Sequence, residues 1–342
     1  MELLNLLTIH CKIIEQRKNM DWENYWNTFI TKEKCQNKIF EMDAVDEALG
    51  NEWRIETICH RIYEDYEKNF RPHLENVRQD FLKILDTFSH VHLQTSRVKK
   101  VDSLLKKIID KRYSSLKNPE SEYVGINADN YKDILTDLIG MRIILNYRGD
   151  WTLIHNEIIK YFPLDLDRFC EDERSRNQIT LPHPRDDTYL LAQIPIAYYA
   201  ENDDISVYKG YGLNTKRHEK NYRSIHYIVS YQHIYIEIQV RTIYDEAWSD
   251  CDHRYVYKHE DNLSHTALDK LSCILSELTN FSNDFGENMR LIYEKQSFHD
   301  IGNSKWETTE DNIKVLENQA RKILGIYTKL HDFHENNLIQ RR

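Results

Sequence analysis

Glycine and proline are scarce, 9 and 6 among 342 residues, so long flexible linkers and disordered tracts are not expected. Six cysteines are present (Cys11, Cys35, Cys59, Cys170, Cys251 and Cys273), but no two stand as C-x-x-C, which excludes zinc-ribbon and thioredoxin-type motifs. No uncharged apolar run reaches the roughly 18 residues that a membrane helix needs. Glu2 and the polar residues after Ile14 interrupt any signal-peptide core. These absences lead us to expect a reduced, cytoplasmic protein with no membrane span. There is no internal repeat and no Walker-type phosphate loop, and Gly210-x-Gly212 is too weak to mark a dinucleotide fold. A formal net charge of −10 argues against a surface that coats nucleic acid as a whole, yet leaves room for a local basic groove.

What is there is a chain that is 40% hydrophobic, enough to bury one large core or two modest ones. Residues 1–90 are rich in Leu, Ile, Glu and Lys and nearly free of breakers, a helical composition. Val101, Leu104, Leu105, Ile108 and Ile109 follow helical spacing, which predicts an amphipathic helix over 100–113. A short helix from Tyr131 to Leu138 then leads into a β-rich run, Met141–Tyr147, and 151–161 reads as helix again. The proline-bearing stretch 163–188 reads as a surface excursion. Strands are expected near 189–198 and 204–208, with a loop over 209–222. The clearest strands are 224–231 and 234–241. In the second, Ile234, Ile236, Ile238 and Val240 alternate with Tyr235, Glu237, Gln239 and Arg241, so period two puts apolar residues on one face and polar ones on the other. Only Gln232-His233 separates the two strands, which suggests a hairpin. Helical pattern returns after Thr242, with one stripe of Leu268, Leu271, Leu275 and Leu278 and another of Ile313, Leu316, Ala320, Ile323, Leu324 and Tyr327. The class is α+β: a mixed sheet with helical segments before and after it.

Four groups of residues could do chemistry. Lys99, Ser103 and Lys107, with Arg97 just before them, lie four apart; as a helical column they would suit a polyphosphate, or be a plain solvated face. Asp137 and Arg142 flank Gly140 at a helix–strand junction, where an acid and a guanidinium could hold a metal and a phosphate, or form a structural ion pair. Glu237, Gln239 and Arg241 share one sheet face at roughly 6.6 Å spacing, a good floor for an active site, although exposed sheets can look the same without function. Tyr222, Ser224 and His226 share parity, behind a basic run of Lys216, Arg217, His218 and Lys220; an aromatic among cations fits a base and a phosphate, or is an ordinary loop entering a strand.

In order, these pieces resemble the RelA/SpoT synthetase family. Ser96-Arg97-Val98-Lys99, Ser103 and Lys107 resemble its G-R-x-K-x-x-x-S-x-x-x-K signature, and Asp137-Leu-Ile-Gly-Met-Arg142-Ile-Ile its D-L-x-G-x-R-I-I segment. Asn221-Tyr222-Arg223-Ser224-Ile225-His226 resembles G-Y-R-S-L-H, and Glu237-Ile-Gln239-Val-Arg241-Thr242 resembles E-I-Q-I-R-T. Trp248, His253, Tyr257 and Lys258 fit the helix that follows. The resemblance covers about 95–260 and implies a nucleotidyltransferase-like mixed-sheet core, with helical regions at 1–94 and 261–342, the latter open to a regulatory role. It implies that Arg97, Lys99, Ser103, Lys107 and Arg142 hold ATP and that Asp137 and Glu237 bind Mg²⁺. Glu237, helped by Gln239, would deprotonate a ribose 3′-hydroxyl that attacks the β-phosphate. Tyr222, His226, Arg241, Lys216 and Lys220 would receive the acceptor.

The resemblance has departures. Ser96 and Asn221 stand where the family has Gly, and His218 where it usually has Lys, four residues before the stacking Tyr; the last two lie on the acceptor side. His299-Asp300 and His331-Asp332 are not followed by Glu-Asp, so the family's hydrolase motif is missing. Three readings follow: synthesis of (p)ppGpp from ATP and GDP or GTP; a toxic relative that modifies the tRNA 3′ end or makes adenosine alarmones, with 261–342 as an inhibitory or partner-sensing tail; and an inactive nucleotide sensor. A homo-oligomer would be in keeping with the family, and 261–342 could equally be a helical buttress.

Overall fold

The computed structural model describes residues 21–48, 54–118, 120–163, 190–201, 203–256 and 265–299, together with positions 318, 321, 324, 325 and 328. Helices come first: α1 over 21–32, α2 Gln36–Ala48, α3 Ile55–Asp65 and α4 Arg71–Leu85, the last two joined by a π-helical turn, Tyr66–Phe70. Then follow β1 Leu93–Val98, α5 Val101–Ser115, the single turn α6 Tyr131–Ile134, β2 Ile139–Leu145, α7 Trp151–Tyr161, β3 Leu190–Leu191, β4 Ile196–Tyr199, β5 Asn214–Arg217, β6 Ser224–Tyr231, β7 Ile234–Thr242, α8 Ile243–Tyr255 and α9 His265–His299.

The seven strands form one mixed sheet in the order β1-β2-β7-β6-β4-β5, with β3 pairing on β6. β2 runs parallel to β7 and β4 parallel to β5, while the other pairs are antiparallel. The hairpin between β6 and β7 turns on Gln232 and His233, at φ 48° and 60°. Two consecutive left-handed residues are what a tight two-residue hairpin needs, here without glycine. The apolar face of β7 is wholly inside: Ile236 and Ile238 are fully buried, with Ile234 and Val240 nearly so. One continuous cluster of buried side chains runs from Trp22 of α1 through α3, α4 and α5 to Val240.

The helices before the sheet grip the start of α5. Tyr25 Oη donates to Asp102 at 2.8 Å and Lys32 Nζ meets the same carboxylate at 2.7 Å. The buried Tyr66 donates to the Lys99 carbonyl at 2.5 Å, which fixes the β1–α5 connection. Arg112 of α5 reaches Asp46 of α2 at 2.9 and 3.1 Å, with both residues buried.

Several expectations need correction. Residues 204–208 are a short 3₁₀ helix, Ile205–Tyr208, because the Asp204 side chain accepts from Ser206 N at 2.8 Å and draws the chain into a turn. The stretch 209–222 holds the edge strand β5. The Tyr131 helix stops at Ile134, where Leu135 turns extended, so Asp137 sits in the short connection before β2 rather than at a helix end. The Leu271 and Leu278 stripe of α9 faces outward, and the side turned to the protein carries Ile274 with Ser276, Thr279 and Asn283. The excursion 163–188 beyond Pro163, and nearly all of the 313–327 stripe, lie outside the described residues. Cys35, Cys59 and Cys251 are free thiols. Among the described residues no helix is long and apolar enough to cross a membrane.

Removing one partner of the Arg112–Asp46 pair would leave a buried charge alone, which costs about 3–5 kcal/mol. Asp46→Ala should therefore lower the urea midpoint markedly, whereas Asp46→Leu combined with Arg112→Met should recover most of the loss. Equal midpoints for Asp46→Ala and the parent would contradict the packing of α2 on α5.

Candidate active site

The strand register assembles the site in rows. Arg97, Gly140, Glu237 and Ile228 are aligned across β1, β2, β7 and β6. The next row is Thr95, Arg142, Gln239, His226 and Ile196, and beyond it Arg241 aligns with Ile144. Directly aligned residues share a face, so Arg97, Arg142, Glu237, Gln239, Arg241 and His226 all stand on the side of the sheet opposite Ile236 and Ile238. Tyr235, Ile228 and Ala192 close one end of this polar floor with a small buried cluster.

At the β1–α5 connection, Lys99 lies two residues before α5, with Lys100 as the helix N-cap, so Lys99 is not part of the helical column with Ser103 and Lys107. The two lysines converge nonetheless. Lys99 Nζ donates to Asp137 Oδ2 at 2.7 Å, and Lys107 Nζ is 2.9 Å from Asp137 Oδ1. Burial raises the Asp137 carboxyl, but Lys107 and then Lys99 outweigh it and hold it below the ordinary aspartate range. Ser103 is exposed on the first turn of α5, and Arg97 lies exposed on β1 with its side chain over Gly140. The cations assigned to the donor are thus spread over a strand, a connection and a helix.

Around Tyr222, the side chains of Tyr222, His226, Glu237, Gln239 and Arg241 form a closed ring of hydrogen bonds. Arg241 Nη2 donates to Gln239 Oε1 at 3.1 Å, and Gln239 Nε2 donates to Glu237 Oε2 at 2.8 Å. On the other side, Arg241 Nη1 donates to the Tyr222 oxygen at 3.4 Å, and the Tyr222 hydroxyl is 2.9 Å from His226 Nε2. His226 Nδ1 stands 3.3 Å from Glu237 Oε1. A carboxylate can only accept, so Nδ1 donates to Glu237, while Nε2 shares a hydrogen bond with the Tyr222 hydroxyl. Two relays therefore start at Arg241 and both end on Glu237. Burial pushes the Glu237 carboxyl up, and repulsion from Asp137 adds to this. The contact with His226 and the bond from Gln239 outweigh them, and the carboxyl is held below the ordinary glutamate range. Burial raises the Tyr222 hydroxyl, which stays protonated.

The Arg241 guanidinium also lies 5.6 Å from the Tyr222 ring centre, within cation–π range. Tyr198, His218 and His226 surround the same ring, at 5.9, 5.3 and 5.7 Å between centres. Lys216 is exposed on β5, aligned with Tyr198, and Lys220 follows in the loop with its backbone NH on His218 Nδ1. Sequence reasoning missed Glu246. Its carboxylate spans Arg142 Nη1 at 2.9 Å and Arg241 Nε at 2.6 Å, joining β2 to β7 across the polar floor. An acid on the first turn of the helix that directly follows β7 was the available signal. Tyr198 was also missed; its strand is four residues long and shows no clean alternation.

The donor set fits a hard divalent cation. Asp137 Oδ1 is buried and meets Lys107 as an ion pair without a well-aligned hydrogen bond, and Glu237 is near enough to repel Asp137. Among the described residues no cluster of three or more acids, histidines or cysteines could hold a metal by itself. This suits Mg²⁺, which takes one or two carboxylates and completes its shell with water and phosphate oxygens.

Residues 96–262 match the family model described as the region found in RelA / SpoT proteins. The chain carries a RelA/SpoT domain. Asp137, Arg142, Tyr222, Glu237 and Arg241 all lie inside it. No match was found among curated proteins. Among solved structures, the chain is similar to small alarmone synthetase 1 from Bacillus subtilis bound to its product pppGpp (19% identity, 68% of this chain and 97% of that one, TM-score 0.40). It is also similar to the same enzyme bound to AMPCPP (19%, 68% and 98%, TM-score 0.41) and to a GTP pyrophosphokinase family protein from Streptococcus pneumoniae (18%, 69% and 94%, TM-score 0.37).

The two relays make a test that needs no substrate. Gln239→Leu removes one donor from Glu237, while burial and Asp137 remain, so the Glu237 carboxyl should titrate at higher pH than in the parent. ¹³C NMR of labelled glutamate side chains reads this directly. An unchanged or lower midpoint would contradict the relay.

Proposed function

We propose that this RelA/SpoT domain transfers the β,γ-pyrophosphate of ATP to the 3′-hydroxyl of a guanosine nucleotide, making (p)ppGpp. The observation that carries the reading is the placement of Glu237: an ionised carboxylate, held by two relays, on a floor between the Lys99–Asp137–Lys107 cluster and the Tyr222 ring. Phosphoryl-type transfers ask little covalent chemistry of a protein. They ask for positioning, charge neutralisation and one group to orient or deprotonate the nucleophile.

Arg97, Lys99, Ser103, Lys107 and Arg142 are the donor-side groups. Lys99 and Lys107 sit beside the acid that would hold a cation, so both can take phosphate oxygens once Asp137 turns to it. Asp137 and Glu237 would hold Mg²⁺, which when bound supplies Lewis-acid neutralisation of the phosphate charge. Tyr222 offers its ring to the acceptor base, with Arg241 and His226 at its edge. Glu237, oriented by Gln239 and His226, accepts the proton of the 3′-hydroxyl. The new bond joins O3′ to the β-phosphorus, the bond from that phosphorus to the α-phosphate oxygen breaks, and AMP leaves.

One observation favours a larger acceptor as a second reading. The edge strand β5 is exposed at all four residues and aligns Lys216 with Tyr198, so the acceptor side opens onto a basic edge to which a tRNA 3′ end could be led. The adenosine-alarmone and inactive-sensor readings have no such feature, and retention of both carboxylates with the Lys99–Lys107 pair weighs against the sensor.

Incubation with γ-³²P-ATP and Mg²⁺, with GDP, GTP, AMP, ATP or bulk tRNA as separate acceptors, tests the reading. Label should pass to GDP or GTP. Label on tRNA alone would replace the first reading by the second, and binding of ATP with no transfer to any acceptor would favour the sensor.

A further inference from the structure

Helix α9 lies beyond the matched domain, yet its inward face is polar and its hydrogen bonds converge on the acceptor loop. Asn221 occupies the left-handed region at φ 57°, a conformation that costs a residue with a side chain and that glycine adopts freely. Its own NH donates to the His218 carbonyl at 3.0 Å. Its carbonyl receives Ser276 Oγ of α9 at 3.4 Å and Arg223 Nη1 at 3.5 Å. Arg223 Nη1 in turn donates to Ser276 Oγ at 3.0 Å, while its Nε and Nη2 bind both oxygens of Asp203 at 2.7 and 2.9 Å. Ser276 is 1% exposed, so it faces no solvent that could take its place.

A second route runs from α9 to the same tyrosine. The Trp248 indole NH donates to the Ser272 carbonyl at 2.9 Å, and the Trp248 ring lies 6.4 Å from the Tyr222 ring. Ser272 Oγ also donates to Asp252 of α8 at 2.6 Å. The tripeptide Asn221-Tyr222-Arg223 is thereby held on both flanks, by Ser276 and Asp203 on the backbone side and by Trp248 beside the ring.

We infer that α9 is the back wall of the acceptor site, and that Ser276 is a positioning residue that holds Asn221 left-handed so that the Tyr222 ring faces the acceptor. This rests on the reading of Tyr222 as the acceptor's stacking partner. It gives α9 a place in the reaction that does not require it to sense a partner. It also accounts for Asn221 where glycine would be easier: the strain is offset by a hydrogen bond from another helix.

A double-mutant cycle tests it. Ser276→Ala should raise the acceptor KM about fivefold, the weight of one such hydrogen bond, and leave the affinity for a non-hydrolysable ATP analogue within about twofold. In an Asn221→Gly background the left-handed turn no longer needs holding, so Ser276→Ala should then change the acceptor KM by less than about twofold. Leu278→Ala, on the outward face of α9, should change neither. Hydrogen exchange of the 218–224 amides should accelerate in Ser276→Ala and not in Leu278→Ala, a readout independent of turnover. The inference is overturned if Ser276→Ala weakens ATP-analogue binding as much as acceptor use, if its effect persists undiminished with Asn221→Gly, or if the loop amides are unchanged. Absence of product with every acceptor in the parent protein would overturn the functional reading instead, and loop exchange would still decide the role of Ser276.

Discussion

Glu237, Gln239 and Arg241 face the site only while β7 keeps its register with β2 on one side and β6 on the other. A slip of one residue would turn all three toward the core and bring Ile236 and Ile238 out. The register is locked from the apolar side, where those isoleucines are fully buried, and from the hairpin, where two left-handed residues leave no slack between β6 and β7. Because β2 runs parallel to β7, the same register puts Arg142 beside Gln239 and Gly140 beside Glu237. The geometry of the polar floor is thus a by-product of core packing and needs no contribution from a ligand.

Charge is managed on that floor by pairing. Asp137 has two lysines, Arg142 and Arg241 share Glu246, and Glu237 takes one donor on each oxygen. Buried charges that lacked such partners would shift toward their neutral forms. Here both carboxylates are held below their ordinary ranges and stay ionised, as the proposed reaction requires. The same pairs mark what substrate must rearrange, since phosphates would compete with Asp137 for Lys99 and Lys107.

Much of this was legible in the residues. Alternation along 234–241 located β7, its buried face and its polar face, because a strand with one side in the core obeys period two. Four-residue spacing suggests that Lys99, Ser103 and Lys107 form one helical column, whereas Lys99 lies off the helix and reaches Asp137 through its long side chain. Spacing cannot separate those cases, since a lysine spans several ångströms beyond its backbone. Glu246 escaped notice because its partners are 104 and 5 residues away and no local pattern links them. The stripe that holds Leu271 and Leu278 carries no orientation in the sequence, because amphipathicity shows that two faces differ and not which one meets the protein; in the structure these two leucines face outward. In α9 the polar face is the inner one, since what it meets is the hydrogen-bonding loop around Tyr222.

The central claim of the proposed reading is that Glu237 takes the acceptor's proton, while the cations around Asp137 carry most of the hold on the donor. Single-turnover transfer from labelled ATP by Glu237→Gln, alongside binding of a non-hydrolysable ATP analogue, tests it most directly. The account predicts a fall in transfer of at least about a hundredfold, as loss of a general base gives, with analogue affinity close to that of the parent. Transfer at the parent rate would contradict it.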